Sequence, residues 1–463
     1  MAKNILTPQA EDFPRWYQDI VAKADLAESG PARGTMIIKP WGYAIWEHIQ
    51  AALDVRIKAT GHDNAYFPLF IPEEFLRREA EHVEGFSPEL AIVTHGGGKE
   101  LAEPLAVRPT SETTIGDAMS RWIQGHRDLP MKLNQWANVV RWELRPRLFL
   151  RTTEFLWQEG HTAHATGEEA QAETLQMLGI YDEVIRGVLG IPAVLGRKTR
   201  AETFPGAVVT YALEGLMRDG KALQMGTSHN LGQNFARAFD IGFSDEQGQR
   251  QLVHTTSWGV STRVVGGLIM AHGDDRGLRL PPAVAPAQVV VLAIKDEVVD
   301  ECARLVDALV AAGVRARLDA TTSQSFGRRA VGWELKGVPV RLEVGPRDLA
   351  AGEVTLVRRD AEGKQAMALG SVAEAVPRLL DEIQASMLEQ ALAFREGHTR
   401  EAERREDIDG AGLWRIPWDT LGTAGEARLA ADGYSVRCLV TAAGGLPAPD
   451  DTDSLVAYVG RAY

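Results

Sequence analysis

The chain has 463 residues, of which 45% are hydrophobic and 24% are charged, and its formal net charge at pH 7 is −13. This composition is typical of a soluble globular protein with about three domains, and no uncharged apolar run approaches the ~18 residues of a membrane helix. The first residues lack the apolar core of a secretory signal, and two cysteines are too few for a disulfide framework. We therefore expect a cytoplasmic protein without membrane contact. The acidic balance argues mildly against a nucleic-acid partner but leaves room for a local basic surface.

The N-terminal part predicts helices next to a proline-punctuated strand. Apolar residues near helical spacing predict a helix within residues 10–30, followed by a strand and turn over 34–43. A long amphipathic helix is expected over 44–60, ended by Gly61, before a strand over 64–72. Because proline is tolerated at sheet edges, this helix and strand are candidates for a self-association surface. A plain packing helix is the competing interpretation.

A glycine run and a helix start come next. Three glycines within residues 86–103 predict a turn without a phosphate-binding role. Thr110 is the expected N-cap of the following helix, which ends at Trp122 and has Glu112 in its first turn. Helix capping is the simpler interpretation of both side chains at this point.

Residues 135–164 predict two strands around a basic turn, because Arg145-Pro146-Arg147 interrupts a run of β-forming residues. Arginine offers planar pairs of donors that suit a polyphosphate, and four arginines lie here: Arg141, Arg145, Arg147 and Arg151. Aromatic side chains that would suit a stacked base are interleaved with them: Trp142, Phe149, Phe155 and Trp157. The competing interpretation is a solvated hairpin with alternating charges.

This segment resembles a known family. Its first half, Arg141-x-Glu143, a loop, and Arg151-x-x-x-Phe155, is similar to the second signature motif of class II aminoacyl-tRNA synthetases. Its continuation resembles the prolyl-tRNA synthetase family: Trp157-Gln-Glu159-Gly-His161-Thr-Ala-His164. The resemblance implies an α/β multidomain fold, with an antiparallel β-sheet catalytic domain flanked by helices, an α/β anticodon-binding domain and a small α+β C-terminal domain. We expect these over residues 1–282, 283–380 and 381–463.

The middle of the chain extends the resemblance. A helix over 167–190 and strands of an antiparallel sheet over 194–200 and 208–214 are expected. Two later segments resemble the family's Gln-x-x-Thr-Ser-His run and third class II motif: Gln224 to His229, and Ser257-Trp-Gly259 to Arg263 before an apolar helix over 264–272. The interval between Phe155 and Ser257 is too short for a large editing insertion. The chain therefore resembles the archaeal/eukaryotic-type form, without editing of mischarged alanine in cis.

After a proline-rich linker at 281–286, strands and helices alternate and predict a small α/β domain. The resemblance makes this the anticodon-binding domain. Guanines of a proline anticodon would be read by Arg or Lys at one base edge and by a carboxylate at another. The candidates are Arg347 and Lys364, and, as weaker ones, Glu334 and Glu343.

A charged helix over 381–409 and a compact tail over 410–463 complete the chain. Relatives with such a tail usually bind zinc there through four cysteines. Here Cys438 is the only cysteine of the region. We therefore expect no structural zinc, and no metal ligands elsewhere.

The resemblance implies a site for each substrate, with Arg141 and Arg263 as the catalytic residues. The implied ATP-binding residues, with Mg²⁺ beside the outer phosphates, are Arg141, Glu143, Arg151, Phe155, Gln224, Thr227 and Arg263. The implied L-proline-binding residues are Thr110, Glu112, Arg141, Trp157, Glu159, His161, His229, Ser257 and Gly259. Proline would be activated to prolyl-adenylate with release of pyrophosphate, then transferred to the 3′-terminal adenosine of tRNA(Pro). A homodimer would form through the first class II motif around Pro68.

Three other functions compete with this one. A sibling synthetase for another amino acid, such as threonine, fits the Trp157 to His161 run poorly. A catalytically inactive paralogue, acting as a regulatory or tRNA-binding protein, would not need to keep Arg141, Glu143 and Arg263 together. A plain nucleic-acid-binding protein would not need an ATP site and fits poorly with the acidic balance.

Overall fold

The structure is a computed structural model that describes residues 5–76 and 90–463. Residues 1–4 lie outside the described residues. They contributed to the prediction that the chain has no secretory signal. Residues 86–89, the first part of the segment 86–103 for which a glycine turn is predicted, also lie outside the described residues. Within the described residues, no helix is long and apolar enough to cross a membrane.

The largest element is an eleven-stranded sheet. Its strands run antiparallel except for the outermost pair at each edge, so the predicted antiparallel catalytic sheet is confirmed. In spatial order they are Thr399–Glu401, Leu413–Pro417, Leu455–Gly460, Ser435–Thr441, Val194–Arg197, Val209–Leu216, Ala222–Gly232, His254–Ser261, Glu154–His164, Met131–Val140 and Asp63–Asn64.

Helices flank this sheet, at Phe13–Lys23, Pro40–Ala59, Glu112–Trp122, Gly167–Asp182, Asn234–Phe239 and Arg263–His272. The helix Pro40–Ala59 buries Ile45, Ile49, Leu53 and Ile57, which recur every four residues and therefore share one face. Trp258, from the opposite face of the sheet to the site described below, joins the same apolar core. Burial of this stripe fixes the sheet against its helices.

Several predicted boundaries are wrong. The end of the predicted strand and turn over 34–43 is the first turn of the helix Pro40–Ala59, because proline is accepted at the first helical position. The N-cap of the helix Glu112–Trp122 is Ser111 rather than Thr110. The predicted strand over 64–72 is two short strands, Asp63–Asn64 and Phe70–Pro72.

Two predicted helices also end early. The helix expected over 167–190 is α-helical only over Gly167–Asp182 and widens into a π-helical turn over Glu183–Val188. The charged helix expected over 381–409 stops at Gly397, and a strand begins at Thr399. The glycine run does form a turn, with φ values of 58° and 78° at Gly97 and Gly98.

Small sheets complete the catalytic half. Ala27–Ser29 pairs with Met36–Ile38, Gly242–Ser244 pairs with Arg250–Leu252, and Lys99–Val107 lies between Phe70–Pro72 and Ala91–Gly96. Short 3₁₀ turns occur at His126–Asp128, Arg200–Glu202, Asp296–Val298, Leu369–Ser371 and Arg405–Asp407.

The predicted α/β domain is a five-stranded sheet with its own apolar core. Its strands, in spatial order, are Ala316–Asp319, Val289–Ala293, Val340–Val344, Glu353–Arg358 and Gln365–Ala368, the first three parallel and the last two antiparallel. Its helices are Val299–Ala311, Phe326–Leu335, Pro346–Ala350 and Val372–Gly397.

The C-terminal region contributes the helix Trp418–Ala431 and four strands that continue the central sheet. The junction is at Leu439, which pairs with Arg197. Cys438 is fully buried at this junction, and burial raises the pKa of its thiol to about 12. The C-terminal region is therefore built into the same sheet that carries the site.

Candidate active site

The candidate site lies on one face of the central sheet, in two rows that cross neighbouring strands. One row joins Gln135, Glu159, Gly259 and Thr227, and the other joins Leu133, His161, Ser257, His229 and Thr210. Side chains two positions apart on a strand point to the same face. The two rows therefore share one face, which explains how distant predicted residues meet.

A cavity of about 220 Å³ opens on this face. All but two of the predicted ATP- and proline-binding residues line it: Thr110, Glu112, Arg141, Phe155, Trp157, Glu159, His161, Gln224, Thr227, His229, Ser257, Gly259 and Arg263. The remaining two, Glu143 and Arg151, line an adjoining cavity of about 190 Å³ that shares Arg141, Phe155 and Arg263.

One end of the cavity, here called the carboxylate end, is built around Glu159. Its buried carboxylate accepts hydrogen bonds from the Ser111 hydroxyl and from Gln135 Nε2 at 2.9 Å, and lies 3.0 Å from His161 Nε2. Burial acts to raise the pKa of Glu159, but the hydrogen bonds from His161, Ser111 and Gln135 hold it below its ordinary value. Glu159 is therefore a fixed anion.

Glu112 and His229 complete the carboxylate end. Glu112 accepts a hydrogen bond from the Thr110 hydroxyl. His229 Nδ1 lies 2.9 Å from Thr210 Oγ1, and burial, then His161 and Arg141, lower the pKa of His229 to about 3. His229 is therefore neutral near pH 7 and can offer a neutral ring nitrogen.

The potential metal-ligand atoms of Glu112, Glu159 and His161 lie within 4.8 Å of one another. Within residues 5–76 and 90–463, these three form the group of acidic and histidine side chains that is close enough to hold a metal ion. Their spacing alone would accommodate a metal ion. However, His161 and Glu159 contact each other, and Glu112 is bound by Thr110. Two carboxylates beside hydroxyl and amide groups suit an organic cation as well as a metal ion.

The other end, here called the arginine end, gathers Arg141, Arg151 and Arg263. Arg141 donates to the Pro109 carbonyl at 2.9 Å, and its guanidinium lies 5.6 Å from the Phe155 ring centroid. Solvent reaches Arg141 through the cavity, yet the surrounding protein still lowers the pKa of its guanidinium by desolvation. Burial, then Arg141 and Arg151, lowers the pKa of Arg263 to about 10. These cations repel one another, so a bound polyanion would relieve the repulsion.

Glu143 is the predicted acidic residue of the arginine end. It lies 3.3 Å from Arg151 Nε and accepts a hydrogen bond from the Arg145 backbone N–H at 2.9 Å. The backbones of Arg147 and Arg151 also bond to each other, which closes the loop between the two strands. The hairpin therefore presents its arginines on a short and constrained turn.

Sequence reasoning missed several residues of the site. Ser111 and Gln135 hold Glu159, and Lys198, Glu202, Phe204 and Thr210 line the cavity. The Phe204 ring lies 4.6 Å from the His229 ring. Gln135 pairs with Glu159 across two neighbouring strands, so it could have been predicted only with the register between those strands known.

The predicted anticodon residues are not all together. Lys364 Nζ lies 2.6 Å from Glu343 Oε2, and Arg341 Nε lies 2.9 Å from Glu343 Oε1. Arg347 is exposed on the short helix Pro346–Ala350. Glu334 instead lies 3.4 Å from Arg276 of the catalytic half. Glu343 is buried and pairs with both Arg341 and Lys364, whereas Glu334 makes a separate contact.

Comparison with known proteins agrees with this architecture. The family described as tRNA synthetase class II core domain (G, H, P, S and T) matches residues 94–272, and the anticodon binding domain family matches residues 288–379. Together with the antiparallel sheet, these matches define a class II aminoacyl-tRNA synthetase that carries an anticodon-binding domain.

The relatives narrow the class. The chain is 60% identical to a proline–tRNA ligase of Frankia alni, over 99% of this chain and 100% of that protein. It is 57% identical to proline–tRNA ligase 2 of Streptomyces avermitilis, over the full length of both. A crystal structure of prolyl-tRNA synthetase from Cryptosporidium parvum, complexed with halofuginone and AMPPNP, matches with a TM-score of 0.92 and 36% identity, covering 99% of each chain. The chain belongs to the proline–tRNA ligase family.

Proposed function

We propose that the two ends of the cavity hold the two small substrates of the ligase reaction. The observation that carries this proposal is the set of charges in two adjoining cavities: Glu112 and Glu159 line the main cavity together with Arg141 and Arg263, and Arg151 lines the other. The proline ammonium has two N–H donors, which match acceptors on Thr110 and Glu112. Trp157, Glu159, His161, His229, Ser257 and Gly259 shape the space for its ring.

At the arginine end, Arg141 holds the α-phosphate of ATP, and Arg151 and Arg263 hold the outer phosphates. The adenine ring stacks on Phe155 with its amino group near Glu143, and Gln224 and Thr227 line the nucleotide. Glu143 is the one carboxylate predicted among the ATP-binding residues. Because Mg²⁺ beside a nucleotide binds mainly to the phosphates and needs few carboxylates, this residue set is compatible with Mg²⁺. When bound, Mg²⁺ would supply positive charge to the outer phosphates.

The proline carboxylate attacks the α-phosphorus in line, and pyrophosphate leaves. The protein needs no side-chain nucleophile for this step. Arg141 and Arg263 act by positioning the reacting groups and by stabilising the charge that develops on the phosphate oxygens. The adenosine hydroxyl at the tRNA 3′ end then attacks the prolyl carbonyl and releases AMP.

ATP–pyrophosphate exchange with proline and without tRNA tests these roles. We expect proline-dependent exchange that exceeds the exchange with threonine, alanine or cysteine, and that Arg141→Ala abolishes. Arg145→Ala, on the same hairpin but outside both cavities, is the matched control and should exchange normally. Equal exchange by Arg141→Ala and the wild type would refute the assignment of the α-phosphate site.

We also propose the archaeal/eukaryotic-type form, without editing in cis. The support is the segment between Phe155 and Ser257, which consists of the strands and helices of the catalytic half. Near full-length agreement with the Cryptosporidium structure supports the same assignment. Mischarged alanyl-tRNA should then persist with this protein. Its rapid hydrolysis by the purified chain would contradict the proposal.

The domain limits 1–282, 283–380 and 381–463 remain our proposal, supported by the separate apolar core of the five-stranded sheet. The helix Val372–Gly397 runs across the second limit and so links the two C-terminal parts. We propose that Arg347, Lys364, Glu343 and Glu334 contact the anticodon of tRNA(Pro). Absence of structural zinc and a cytoplasmic location also remain proposals, the first supported by the single cysteine after residue 380.

A homodimer around Pro68 is proposed as well. Two aromatic residues beside it are exposed, Tyr66 by 74% and Phe70 by 49%, and such apolar surface favours association. Pro68 itself is exposed between them. Light scattering should give twice the mass of the chain, and Phe70→Glu should lower it. A monomeric wild type would contradict the proposal.

A further inference from the structure

Thr210 was not predicted from the sequence, yet its side chain lies against a predicted proline-binding residue. Thr210 and His229 are directly opposite each other on neighbouring antiparallel strands, where side chains of one face meet. Both are buried, and Thr210 Oγ1 lies 2.9 Å from His229 Nδ1. What the imidazole can offer a substrate depends on which of its two nitrogens carries the proton.

The hydrogen bonds of the Thr210 hydroxyl determine that choice. Within residues 5–76 and 90–463 this hydroxyl has two partners, His229 Nδ1 and the Phe204 backbone N–H at 3.0 Å. The Phe204 N–H can only donate, so the hydroxyl accepts from it. The hydroxyl proton then has one acceptor left, His229 Nδ1, and a buried donor without an acceptor is costly.

The proton of the neutral ring is therefore on Nε2. Burial, then His161 and Arg141, keep the pKa of His229 far below neutral pH, so the ring carries a single proton there. Because Nδ1 accepts the Thr210 hydroxyl proton, the ring proton occupies the other nitrogen. No group within 5–76 and 90–463 is hydrogen-bonded to Nε2, and the ring lines the main cavity. Nε2–H is thus available to a ligand.

Phe204 fixes the orientation of the same ring. Its ring centroid lies 4.6 Å from that of His229, with 34° between the planes. Its backbone N–H is bonded to the same Thr210 hydroxyl that holds Nδ1. One hydroxyl therefore sets both the proton position of the imidazole and the place of the ring that packs against it.

His229 also lies between the two ends of the cavity. His161 of the carboxylate end and Arg141 of the arginine end both act on its pKa, after the larger effect of burial. In the proposed reaction the proline carboxyl group likewise lies between the ammonium and the α-phosphate. A neutral donor suits this group, because its negative charge disappears when the carboxylate becomes part of the adenylate.

We propose that Thr210 is a positioning residue: its hydroxyl holds His229 in the form protonated on Nε2, and Nε2–H donates a hydrogen bond to an oxygen of the proline carboxyl group. The proposal rests on the proposed function, in which proline occupies the carboxylate end. It assigns a defined proton to a side chain that otherwise only shapes the proline pocket. It also explains why a threonine is placed directly opposite this histidine.

Nitrogen NMR of ¹⁵N-labelled histidine rings tests the proton position without any substrate. The signals that disappear in His229→Leu identify His229. At about pH 7.5 the wild type should show an unprotonated Nδ1 and a protonated Nε2. Thr210→Val, which keeps the shape but lacks the hydroxyl, should populate the form protonated on Nδ1, and Thr210→Ser should restore the wild-type signals. A protonated Nδ1 in the wild type would overturn the proposal.

Proline-dependent ATP–pyrophosphate exchange tests the consequence. We expect Thr210→Val to raise KM for proline by about tenfold, with KM for ATP within about twofold, because one hydrogen bond to the amino acid is weakened. Thr210→Ser should stay within about twofold of the wild type for both. The control is Thr174→Val, which removes a buried hydroxyl bonded to the Ala170 carbonyl at 2.8 Å and lines neither cavity. It should leave both KM values unchanged.

A double-mutant cycle separates this role from simple support of Phe204. In the His229→Leu background, Thr210→Val should change KM for proline by less than about twofold, since no imidazole remains to be oriented. The same tenfold rise in both backgrounds would show that Thr210 acts through Phe204 or the strand, and would overturn the proposal. An unchanged KM for proline in Thr210→Val would also overturn it.

Pyrrolidine, which has the ring and the ammonium of proline but no carboxyl group, identifies the substrate atoms involved. As an inhibitor of exchange it should bind wild type and Thr210→Val equally, whereas proline binds the variant more weakly. Equal weakening of both compounds would place the contact on the ring or the ammonium and refute the carboxyl assignment. A wild type without proline-dependent exchange would instead refute the proposed function, and the NMR result would still report the proton position.

Discussion

The two ends of the cavity balance their charges in different ways. At the carboxylate end, Glu159 is surrounded by donors from Ser111, Gln135 and His161, so its charge is compensated before any substrate arrives. At the arginine end, burial together with Arg141 and Arg151 lowers the pKa of Arg263, and Glu143 lies 3.3 Å from Arg151 Nε.

This difference matches what each end must bind. A single ammonium requires a small, rigid set of acceptors, because its one charge is readily matched. A triphosphate brings several charges, so cations can remain uncompensated until it binds. The carboxylate end is therefore preorganised by hydrogen bonds, whereas the arginine end is completed by its ligand. Each prediction below changes a charged or titratable side chain at one end of the cavity, and the results for the two ends can then be compared.

The largest effect is expected from Arg263→Ala. Arg263 is held by the Leu150 carbonyl at 3.2 Å and lies at the start of the helix Arg263–His272, so its guanidinium is positioned before ATP binds. Removing it should lower kcat/KM for exchange by about 10³ or more, as for other arginines that stabilise phosphoryl charge. A higher KM for ATP with an unchanged kcat would show that Arg263 contributes only to ground-state binding of ATP.

At the carboxylate end, Glu159→Gln should weaken the binding of proline rather than the binding of ATP. The amide removes the anion that His161, Ser111 and Gln135 stabilise, and hydrogen bonds to charged groups are worth about 2 kcal/mol. We expect KM for proline to rise by roughly 30-fold, with KM for ATP nearly unchanged. Glu154→Gln, exposed on the same strand, is the control. An equal rise in KM for ATP would show that the two ends are not independent.

The two ends should also differ in their response to acid. The pKa of His229 is lowered from 6.5 to about 3 in the folded protein, so between these values the unfolded chain binds the proton more readily. The stability due to neutral His229 is fully present above pH 6.5 and decreases as the pH falls toward 3. By about pH 5 the loss should be about 2 kcal/mol.

Urea unfolding at about pH 7.5 and about pH 5 measures this loss. His229→Gln should reduce the difference in unfolding free energy between the two pH values by about 2 kcal/mol, whatever its effect at pH 7.5. Arg263→Gln should not change that difference, because the pKa of Arg263 is about 10 and it stays charged throughout. An unchanged pH dependence in His229→Gln would mean that His229 does not resist protonation.

The contrast between the two ends was only partly visible in the sequence. The family resemblance placed Glu159 and His161 at the site, and strand alternation explains why two residues that are two positions apart share one face. Gln135 and Ser111 were missed because their contact with Glu159 depends on the register and on a loop from another element. Local patterns carry the first kind of information but not the second.

Contacts between residues that lie far apart in the sequence were harder still to predict. Glu214 and Arg437 are 223 positions apart and meet only because the C-terminal strands continue the catalytic sheet. Local composition made the C-terminal region a separate compact tail, since nothing in its own residues indicates which edge it joins. The helix start at Pro40 was missed for the opposite reason, because a proline reads as a break although the first helical position accepts it.

The smallest effect is expected from Glu143→Gln, and it tests whether the arginine end depends on this carboxylate. Glu143 is partly exposed, and its partner Arg151 is mostly exposed, so their contact contributes under about 1 kcal/mol to folding. The amide still offers an oxygen to the Arg145 backbone N–H, so the loop should keep its shape. Without the negative charge, Arg151 is freer to meet a phosphate, while a contact to the adenine amino group is weakened. These changes oppose each other, and KM for ATP should change by no more than about threefold. A change as large as that of Arg263→Ala would mean that Glu143, rather than the arginines, organises the triphosphate site.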